Sequence, residues 1–315
     1  MFMKKVKVSI IGAGNVGSTL ASILSQKGYA DIRLIDIEGE VAKGKAIDIS
    51  QQCAISSVDI EVIGGKDYSL VEDSQISVIT AGIARKPGMK REDLLETNAK
   101  IVKEVVENLM KYSPKAYIIV VTNPVDAMSY LAYRVAGIEK NRVMGMGGVL
   151  DTARFKYCIR EKLRCSYNSI NAIVLGGHGD EMVPITSLTT IGGKTLSKLL
   201  HKSEIDEIVS KTKNGGAEIV NLLKTGSAYY APAMAVAKMI ESILFDKKEI
   251  LPCSALCEGE YGINNLFFGV PVKLGCKGVE EIIELPLTKE EIELVRRSSE
   301  SVKNTCKLLE RLGVM

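Results

Sequence analysis

Residues 6–17 read VKVSIIGAGNVG, a short apolar run followed by three closely spaced glycines. The run is rich in β-branched residues, and apolar residues recur at helical spacing after Gly17, so the stretch predicts a strand, a tight turn and a helix. Gly12 permits the turn, Gly14 leaves room for a pyrophosphate, and Gly17 lets the helix pack against the strand. We therefore expect the first half of a dinucleotide-binding unit.

A carboxylate follows where such a unit needs one. A second strand is predicted at 32–35 and is followed directly by Asp36, which lies about 20 residues beyond the last glycine, where a ribose diol would be bound. Asp36 would repel a 2′-phosphate, and Ile37 rather than a basic residue follows it, so NAD is favoured over NADP. A glycine-rich turn beside a surface aspartate is the structural alternative. The predicted cofactor contacts in this unit are Gly12, Ala13, Gly14, Asn15, Val16, Gly17 and Asp36.

Strand and helix patterns continue to alternate beyond Asp36. Helices are predicted at 39–53 and 91–111, and strands at 58–63, 76–80 and 116–121. Such alternation is typical of an α/β protein with a parallel sheet. The predicted fold is thus a Rossmann-type doubly wound parallel sheet in an NAD-binding domain, residues 1–145. A mixed α+β substrate-binding and catalytic domain would follow in residues 146–315.

The second domain carries fewer regular patterns. Strands are predicted at 251–258 and 267–274. Thr288 and Glu291 form a capping box that begins a last helix, with Ile292, Val295, Val302 and Leu309 as its apolar stripe. That stripe indicates a core or an interface rather than catalysis.

Composition excludes several classes of function. The chain has 315 residues, a formal charge of +3 and no run of basic residues, so no nucleic-acid partner is expected. Seven cysteines without a C-x-x-C pair, and only two histidines, support neither a disulfide framework nor a metal site. No apolar run approaches membrane-spanning length. We expect a protein with reduced thiols in the cytoplasm, without a membrane partner.

Residues 83–98, IARKPGMKREDLLETN, carry two arginines on either side of a Lys-Pro-Gly kink. Arg91 begins an apolar-periodic helix, whereas Arg85 lies on a stretch that Gly88 can bend. The two guanidinium groups could close over a small anion, which predicts a cationic lid. A solvated surface loop is the alternative.

Candidate chemistry appears in three further segments. His178 is framed by glycines in LGGHGDEMVP, whereas His201 lies in KLLHKSE, which is typical of a solvated helix end. Asp151 and Arg154 in GGVLDTAR share a helix face, although surface ion pairs have the same spacing. Asn123 in VTNPVD follows a strand, and turn chemistry alone also explains Asn-Pro. With a buried aspartate to orient it, His178 would be a general acid/base.

These segments, taken in order, resemble the lactate/malate dehydrogenase family, and within it the bacterial malate dehydrogenases of the lactate-dehydrogenase-like type. The motifs are GAGNVGS, Asp36, AGIARKPGMKREDL, VTNP, GGVLDTAR and GGHGDEMVP, and they cover essentially the whole chain. The resemblance implies hydride transfer between C2 of a 2-hydroxy acid and C4 of nicotinamide. It also implies a homodimer or homotetramer.

The resemblance also implies a role for each site residue. His178 would exchange the hydroxyl proton, Asp151 would orient its ring, and Arg154 would bind the C1 carboxylate. Arg91, on the closing lid, would polarise the carbonyl oxygen, and Asn123 would donate to the same oxygen. Asn98, Val121, Thr122 and Asn123 would line the cofactor cleft.

The choice of substrate depends on Arg85. The resemblance implies Gln at this position in lactate-specific members and Arg in malate-specific ones. A second carboxylate in a desolvated site also needs a second cation. We therefore expect a small dicarboxylate, malate or oxaloacetate, and an enzyme of the tricarboxylic acid cycle. A lactate or broad-specificity 2-ketoacid dehydrogenase is the alternative, and a non-catalytic NAD-sensing module is a third hypothesis.

Overall fold

The computed structural model describes residues 6–83 and 91–314, without the side chain of Arg91. The predicted lid residue Arg85 lies outside the described residues. The strands described are β1 (Val6–Ile11), β2 (Ala30–Ile35), β3 (Val62–Gly65), β4 (Ile76–Ile79), β5 (Tyr117–Val120), β6 (Val143–Gly145), β7 (Ile170–Asn171), β8 (Val174–Leu175), β9 (Val183–Pro184), β10 (Thr190–Ile191), β11 (Lys194–Thr195), β12 (Glu249–Glu258), β13 (Asn264–Gly275) and β14 (Gly278–Ile282). The helices described are α1 (Asn15–Lys27), α2 (Gly39–Ser56), α3 (Arg91–Tyr112), α4 (Val125–Ala136), α5 (Gly148–Leu163), α6 (Lys202–Leu223), α7 (Tyr230–Leu244) and α8 (Lys289–Arg311).

One large sheet runs through the molecule. Among the described residues its strand order is β14-β13-β12-β6-β5-β4-β1-β2-β3. Strands β1 to β6 pair in parallel, and Val8 of β1 lies opposite Ile32 of β2 on one side and Ile76 of β4 on the other. β12, β13 and β14 are antiparallel to one another, and β12 joins β6 where Ser254 lies opposite Gly145. The predicted fold class, a Rossmann-type parallel sheet followed by a mixed α+β region, is confirmed.

Apolar residues on both faces explain why the parallel strands lie in the centre. Val8, Ile10, Ile76, Val78 and Ile119 are all fully buried. A strand that is covered by helices on both faces needs apolar side chains at consecutive positions, and Ile118, Ile119 and Val120 of β5 have this pattern. The described helices contain no segment long and apolar enough to cross a bilayer.

The glycine-rich turn after β1 is packed too closely for larger residues. Gly12 has φ +112°, and a Cβ there would lie 2.6 Å from Thr80 Oγ1. A Cβ on Gly17 would overlap the carbonyl oxygen of Gly12, whereas a Cβ on Gly14 would meet no atom within 4 Å. Gly17 therefore sets the contact between α1 and the turn, and Gly14 faces open space.

Two details of the sequence prediction were wrong. The strand expected at 58–63 is β3, which begins at Val62 and ends at Gly65. Gly64 pairs with Leu34 of β2, and it is glycine because α2 crosses it closely: a Cβ there would overlap the carbonyl oxygen of Ala42. A pattern that treats glycines as turn residues misses such a strand.

The second error concerns Ile292, which was expected in the apolar stripe of α8. Its side chain is 54% exposed, whereas Val295 and Leu309 are buried as expected. Glu291 is buried beside Ile292, because its carboxylate accepts hydrogen bonds from Ser187 and completes the capping box with Thr288. The first turn of α8 is therefore fixed by polar contacts rather than by apolar packing.

The contrast between two glycines gives a test of this packing. We expect Gly17→Ala to lower the free energy of unfolding by about 2 kcal/mol or more, because the added methyl overlaps the Gly12 carbonyl. Gly14→Ala should leave stability within about 0.5 kcal/mol of the wild type but weaken NADH binding, because its methyl enters the space expected for the pyrophosphate. Urea denaturation and NADH fluorescence titration measure the two effects. Equal stability of the two variants would contradict the close packing that we assign to Gly17.

Candidate active site

The carboxyl ends of β1, β2, β4 and β5 meet at one edge of the sheet because these strands are parallel. The loops that follow them contain Gly12, Asp36, Gly82 and Asn123. In open α/β sheets this edge is where ligands bind. The structure thus brings the predicted cofactor residues of the first domain to one edge, as the strand pattern indicated.

The Asp36 carboxylate is tied to the glycine-rich turn. One oxygen accepts a hydrogen bond from the backbone N–H of Ala13 at 2.6 Å, and the other accepts one from Glu38 at 3.0 Å. Lys45 Nζ donates to the carbonyl oxygen of Ala13 at 2.6 Å, so the turn is held from both sides. Asp36 therefore has a fixed position relative to the first turn of α1.

The same turn fits a dinucleotide. Gly14 and Asn15 are exposed, and Val16 and Gly17 follow within the first turn of α1. The first amides of a helix have no acceptor within it and carry the positive end of the helix dipole, which suits a pyrophosphate. The open space beside Gly14 would let the phosphates approach the backbone.

Asn98 and Thr122 are buried side chains that form hydrogen bonds with the loops after β4 and β5. Asn98 is 1% exposed, its Oδ1 accepts from the backbone N–H of Ile83 at 2.8 Å, and its Nδ2 donates to the carbonyl oxygen of Asn123 at 2.8 Å. Thr122 Oγ1 donates to the carbonyl oxygen of Ala81 at 2.7 Å. These side chains position the loop backbones, a role that the sequence did not reveal. Asn123 is exposed and Val121 half-buried, and the peptide between Asn123 and Pro124 is cis.

Asp151 lies at the centre of the second group of predicted residues. It is 1% exposed in the first turn of α5, and its Oδ2 is 2.8 Å from Nδ1 of His178. Its other oxygen, Oδ1, accepts a hydrogen bond from Nη1 of Arg154 at 3.3 Å. A Cβ on Gly147 would lie only 3.2 Å from Cβ of His178, so the glycine before α5 lets the histidine loop approach.

The environment of His178 favours the protonated ring. Burial alone lowers its pKa, but the charge of Asp151 and the hydrogen bond that the ring donates to that carboxylate outweigh burial, and the pKa is raised above its usual value. Arg154 opposes this rise and Asp126 adds to it. Because Asp151 occupies Nδ1, Nε2 is the ring atom that remains for a ligand.

Arg154 is oriented but not fully paired. Its side chain is 17% exposed, and Nε is buried without a hydrogen-bond partner among the described residues. The backbone of α6 passes close by, since a Cβ on Gly216 would lie 3.2 Å from Nη2. A guanidinium held in this way has donors left for a carboxylate. The ion pair with Asp151 is therefore part of a buried site rather than a solvated surface pair.

A cavity of about 380 Å³ adjoins His178. Its walls come from the start of α4, the loop after β8 and the second half of α8, and its polar lining includes Asn123, Asp126 and Thr305. Leu94 and Leu95 of α3 close the apolar side. The cavity has His178 in its wall together with Asp180 and Glu181, and Arg154 is not among its lining residues.

Sequence reasoning missed Asp126, which contacts the backbone of His178. It lies within the VTNPVD segment that was chosen for Asn123. An acidic residue in the first turn of a helix that follows a strand end was the signal that could have identified it.

Apart from the cleft, Asp246, Cys276 and Glu280 bring atoms that can ligate a metal within 4.8 Å of one another. Asp246 and Cys276 are exposed, and Asp246 accepts a hydrogen bond from the backbone N–H of Cys276 at 2.9 Å. Hydrogen bonding between the loop after α7 and the turn between β13 and β14 accounts for this cluster, and we assign no metal to it.

Comparison with known proteins covers both halves of the chain. The family model described as lactate/malate dehydrogenase, NAD binding domain, matches residues 6–145. The model described as lactate/malate dehydrogenase, alpha/beta C-terminal domain, matches residues 148–312. The cofactor of the matched family is NAD, as Asp36 predicted.

Individual relatives match over nearly the full length. A malate dehydrogenase of Chlorobium chlorochromatii is 52% identical over 98% of this chain and 99% of the relative. The crystal structure of Cryptosporidium parvum malate dehydrogenase superimposes with a TM-score of 0.95 at 45% identity, covering 98% of this chain and 99% of that one. The lactate dehydrogenase of the same organism, complexed with lactic acid and nicotinamide adenine dinucleotide, has a TM-score of 0.95 at 40% identity, with the same coverage.

The position of Asp36 gives a test of cofactor choice. We expect the wild type to use NADH in strong preference to NADPH, because the carboxylate accepts hydrogen bonds from a ribose diol and repels a phosphate. Asp36→Ser should narrow that preference. The ratio of kcat/KM for the two cofactors measures the effect, and comparable turnover with both in the wild type would disprove the role of Asp36.

Proposed function

The chain belongs to the lactate/malate dehydrogenase family, and we propose that it interconverts (S)-malate and oxaloacetate as an NAD-dependent oxidoreductase. One observation carries the proposal: the buried carboxylate of Asp151 contacts both His178, at 2.8 Å, and Arg154, at 3.3 Å. A proton-transfer group and an anion-binding group are thereby held at a fixed distance from each other. This is the arrangement that oxidation of a 2-hydroxy acid requires.

His178 is the proposed general acid/base. In malate oxidation its Nε2 accepts the proton of the C2 hydroxyl, while Asp151 stabilises the imidazolium through Nδ1. Arg154 binds the C1 carboxylate through guanidinium donors that Asp151 does not occupy. NAD, when bound, accepts the hydride from C2. In the reverse direction His178 returns the proton to the carbonyl oxygen of oxaloacetate.

The remaining contacts follow from the family motifs. We assign Asn123 to the carbonyl oxygen, which its exposed position at the mouth of the cavity supports. Arg91 is assigned to the same oxygen and Arg85 to the second carboxylate of the substrate. The side chains of both arginines fall outside the described residues, so their assignments rest on sequence. Gly12 to Gly17, Asp36, Asn98, Val121 and Thr122 are assigned to the cofactor cleft, with Asn98 acting through the loops it holds.

The alternatives differ in what they require. A lactate or broad-specificity 2-ketoacid dehydrogenase needs all of these residues except Arg85. Relatives named malate dehydrogenase, about 50% identical in sequence to this chain, favour a dicarboxylate substrate. A non-catalytic NAD-sensing module would have no use for the shared contact of Asp151 with His178 and Arg154, which argues against it.

We also propose two domains, residues 1–145 for NAD and residues 146–315 for substrate binding and catalysis. The family matches at 6–145 and 148–312 support this division. All seven cysteines are free, which supports a cytoplasmic location, where the enzyme would act in the tricarboxylic acid cycle.

A homodimer or homotetramer is the proposed assembly. Large apolar side chains are exposed on α2 (Val41, Ile47 and Ile55) and on α7 (Tyr230 and Met234). Tyr230 and Met234 lie one turn apart on α7, and exposed apolar patches of this kind mark surfaces that associate with other chains. The molar mass in solution, by light scattering, tests this assignment.

Replacement of the histidine tests the mechanism. We expect His178→Asn to lower kcat for oxaloacetate reduction by a factor on the order of a hundred or more, because the proton donor is lost. NADH affinity should stay nearly unchanged. Steady-state kinetics and NADH fluorescence titration measure the two quantities. Turnover close to that of the wild type would mean that His178 is structural.

The pH dependence of the wild type tests the acid/base role of His178 without a substitution. Malate oxidation needs the unprotonated imidazole, so its kcat/KM should fall as the pH drops through the raised pKa of His178. Oxaloacetate reduction needs the protonated imidazole, and its kcat/KM should fall as the pH rises through the same value. Profiles that change in the same direction for both substrates would contradict the assignment.

The substrate assignment is tested at Arg85. We expect Arg85→Gln to depress oxaloacetate reduction and to raise pyruvate reduction, shifting the ratio of their kcat/KM values by a few kcal/mol. The physical reason is that the second carboxylate loses its cation, while the uncharged methyl group no longer leaves a guanidinium unpaired. Both rates are measured at saturating NADH. Loss of activity on both substrates would mean that Arg85 only shapes the lid, and a wild type that prefers pyruvate would contradict the malate assignment.

A further inference from the structure

Asp126 is a buried carboxylate that the mechanism above does not use. It is 5% exposed, in the first turn of α4. Its Oδ2 accepts a hydrogen bond from the backbone N–H of His178 at 3.0 Å, and its Oδ1 accepts one from Oγ of Ser254 at 2.7 Å. A carboxylate away from water is costly unless donors surround it, and here both oxygens have one.

The two contacts join three separate parts of the fold. Asp126 begins the helix that follows β5 of the parallel sheet, and Ser254 lies on β12 where that strand meets Gly145 of β6. His178 lies on the loop after β8. The carboxylate therefore holds the histidine loop against the junction of the parallel and antiparallel strands.

The same loop has a second, uncharged anchor. The backbone N–H of Gly177 donates to Oγ of Ser298 on α8 at 2.9 Å. Consecutive peptides of the loop are thus held by a carboxylate and by a hydroxyl. The two anchors differ in charge, and this difference allows their effects on the imidazole to be separated.

We propose that Asp126 is a positioning residue, which fixes the backbone of His178 and whose negative charge favours the protonated imidazole. The proposal rests on the proposed function, in which His178 exchanges the substrate proton. Asp151 orients the ring from one side through Nδ1. Asp126 fixes the peptide through the backbone N–H, so that His178 keeps its place in the cavity wall.

The charges that face His178 among the described residues are few. Asp151 and Arg154 belong to α5, and Asp126 belongs to α4. α8 contributes the uncharged Ser298, and Asp180 and Glu181 follow on the histidine loop and line the cavity. The charge of Asp126 raises the pKa of His178, in the same direction as Asp151 and against Arg154. Burial raises the pKa of Asp126 itself, and its hydrogen bonds with Ser254 and His178 oppose that rise.

The two histidines make a direct test practical. Only His178 and His201 contribute imidazole signals to a nuclear magnetic resonance titration. Asp126→Asn keeps an oxygen for the N–H of His178 and turns an amide toward Ser254, but removes the charge. We expect the pKa of His178 to fall by about half a pH unit or more, while the exposed His201 is unchanged. Ser298→Ala, the matched uncharged control, should leave both pKa values unchanged.

Steady-state kinetics separate the effect of the hydrogen bond to the His178 backbone from the effect of the Asp126 charge. Asp126→Ala removes the acceptor of the His178 N–H, and we expect kcat for oxaloacetate reduction to fall about tenfold or more, with unchanged NADH affinity. Asp126→Asn should recover most of that loss, with a pH profile displaced toward lower pH. If Asp126→Ala does not fold, Ser254→Ala, which removes one donor to the carboxylate, takes its place and should lower kcat in the same direction.

Two results would overturn the proposal. One is an unchanged pKa of His178 in Asp126→Asn, and the other is unchanged kcat per folded molecule in Asp126→Ala or its substitute, even if stability falls. The titration requires no substrate and therefore reads the effect of Asp126 independently of turnover. Absence of malate and oxaloacetate turnover in the wild type would refute the proposed function instead.

Discussion

Two buried carboxylates that contact one histidine, one at its ring and one at its backbone, are the constraint on which the site depends. Asp151 holds the ring of His178 through Nδ1, and Asp126 holds its backbone N–H. A buried charge destabilises a protein unless donors satisfy it, so each element that supplies a donor must be in place before the site exists. The donors come from α5, from β12 and from the histidine loop, and the site therefore forms only when these elements have packed together.

The parallel sheet supplies the other half of the arrangement. Strand ends that share one direction bring Gly12, Asp36 and Asn123 to one edge, and β6 leads from that edge directly into α5 and Asp151. The pairing of β12 with β6 then places Ser254 beside Asp126. Cofactor residues and proton-transfer residues meet because one sheet continues through both halves of the chain.

Three glycines allow the close contacts that form the site. Gly147 lets the histidine loop approach the start of α5, and Gly216 lets the backbone of α6 pass over the Arg154 guanidinium. Gly17 does the same for α1 against the cofactor turn. At each place a methyl group would meet a backbone or a functional side chain. Close backbone approach, rather than flexibility, is what these glycines provide.

Much of the fold and part of the site could be predicted from the sequence because their signals are local. The strand, turn and helix around Gly12 and Gly17, the carboxylate of Asp36 and the difference in setting between His178 and His201 are each visible within a few neighbouring residues. The cationic pair of Arg85 and Arg91 was equally local, and no described contact bears on their side chains.

Tertiary structure decided what local pattern could not express. Asp126 meets His178 across 52 residues of chain and Ser254 across 128, and Asn98 reaches Asn123 across 25. β3 includes Gly64 and Gly65 because they pair with Leu34 and Ile35 of β2, and Ile292 is exposed because polar contacts of Glu291 set the first turn of α8. Spacing along a chain shows which side chains share a face of one helix or strand. Which faces then meet depends on how the elements pack, and the hydrogen bonds between them are determined only at that stage.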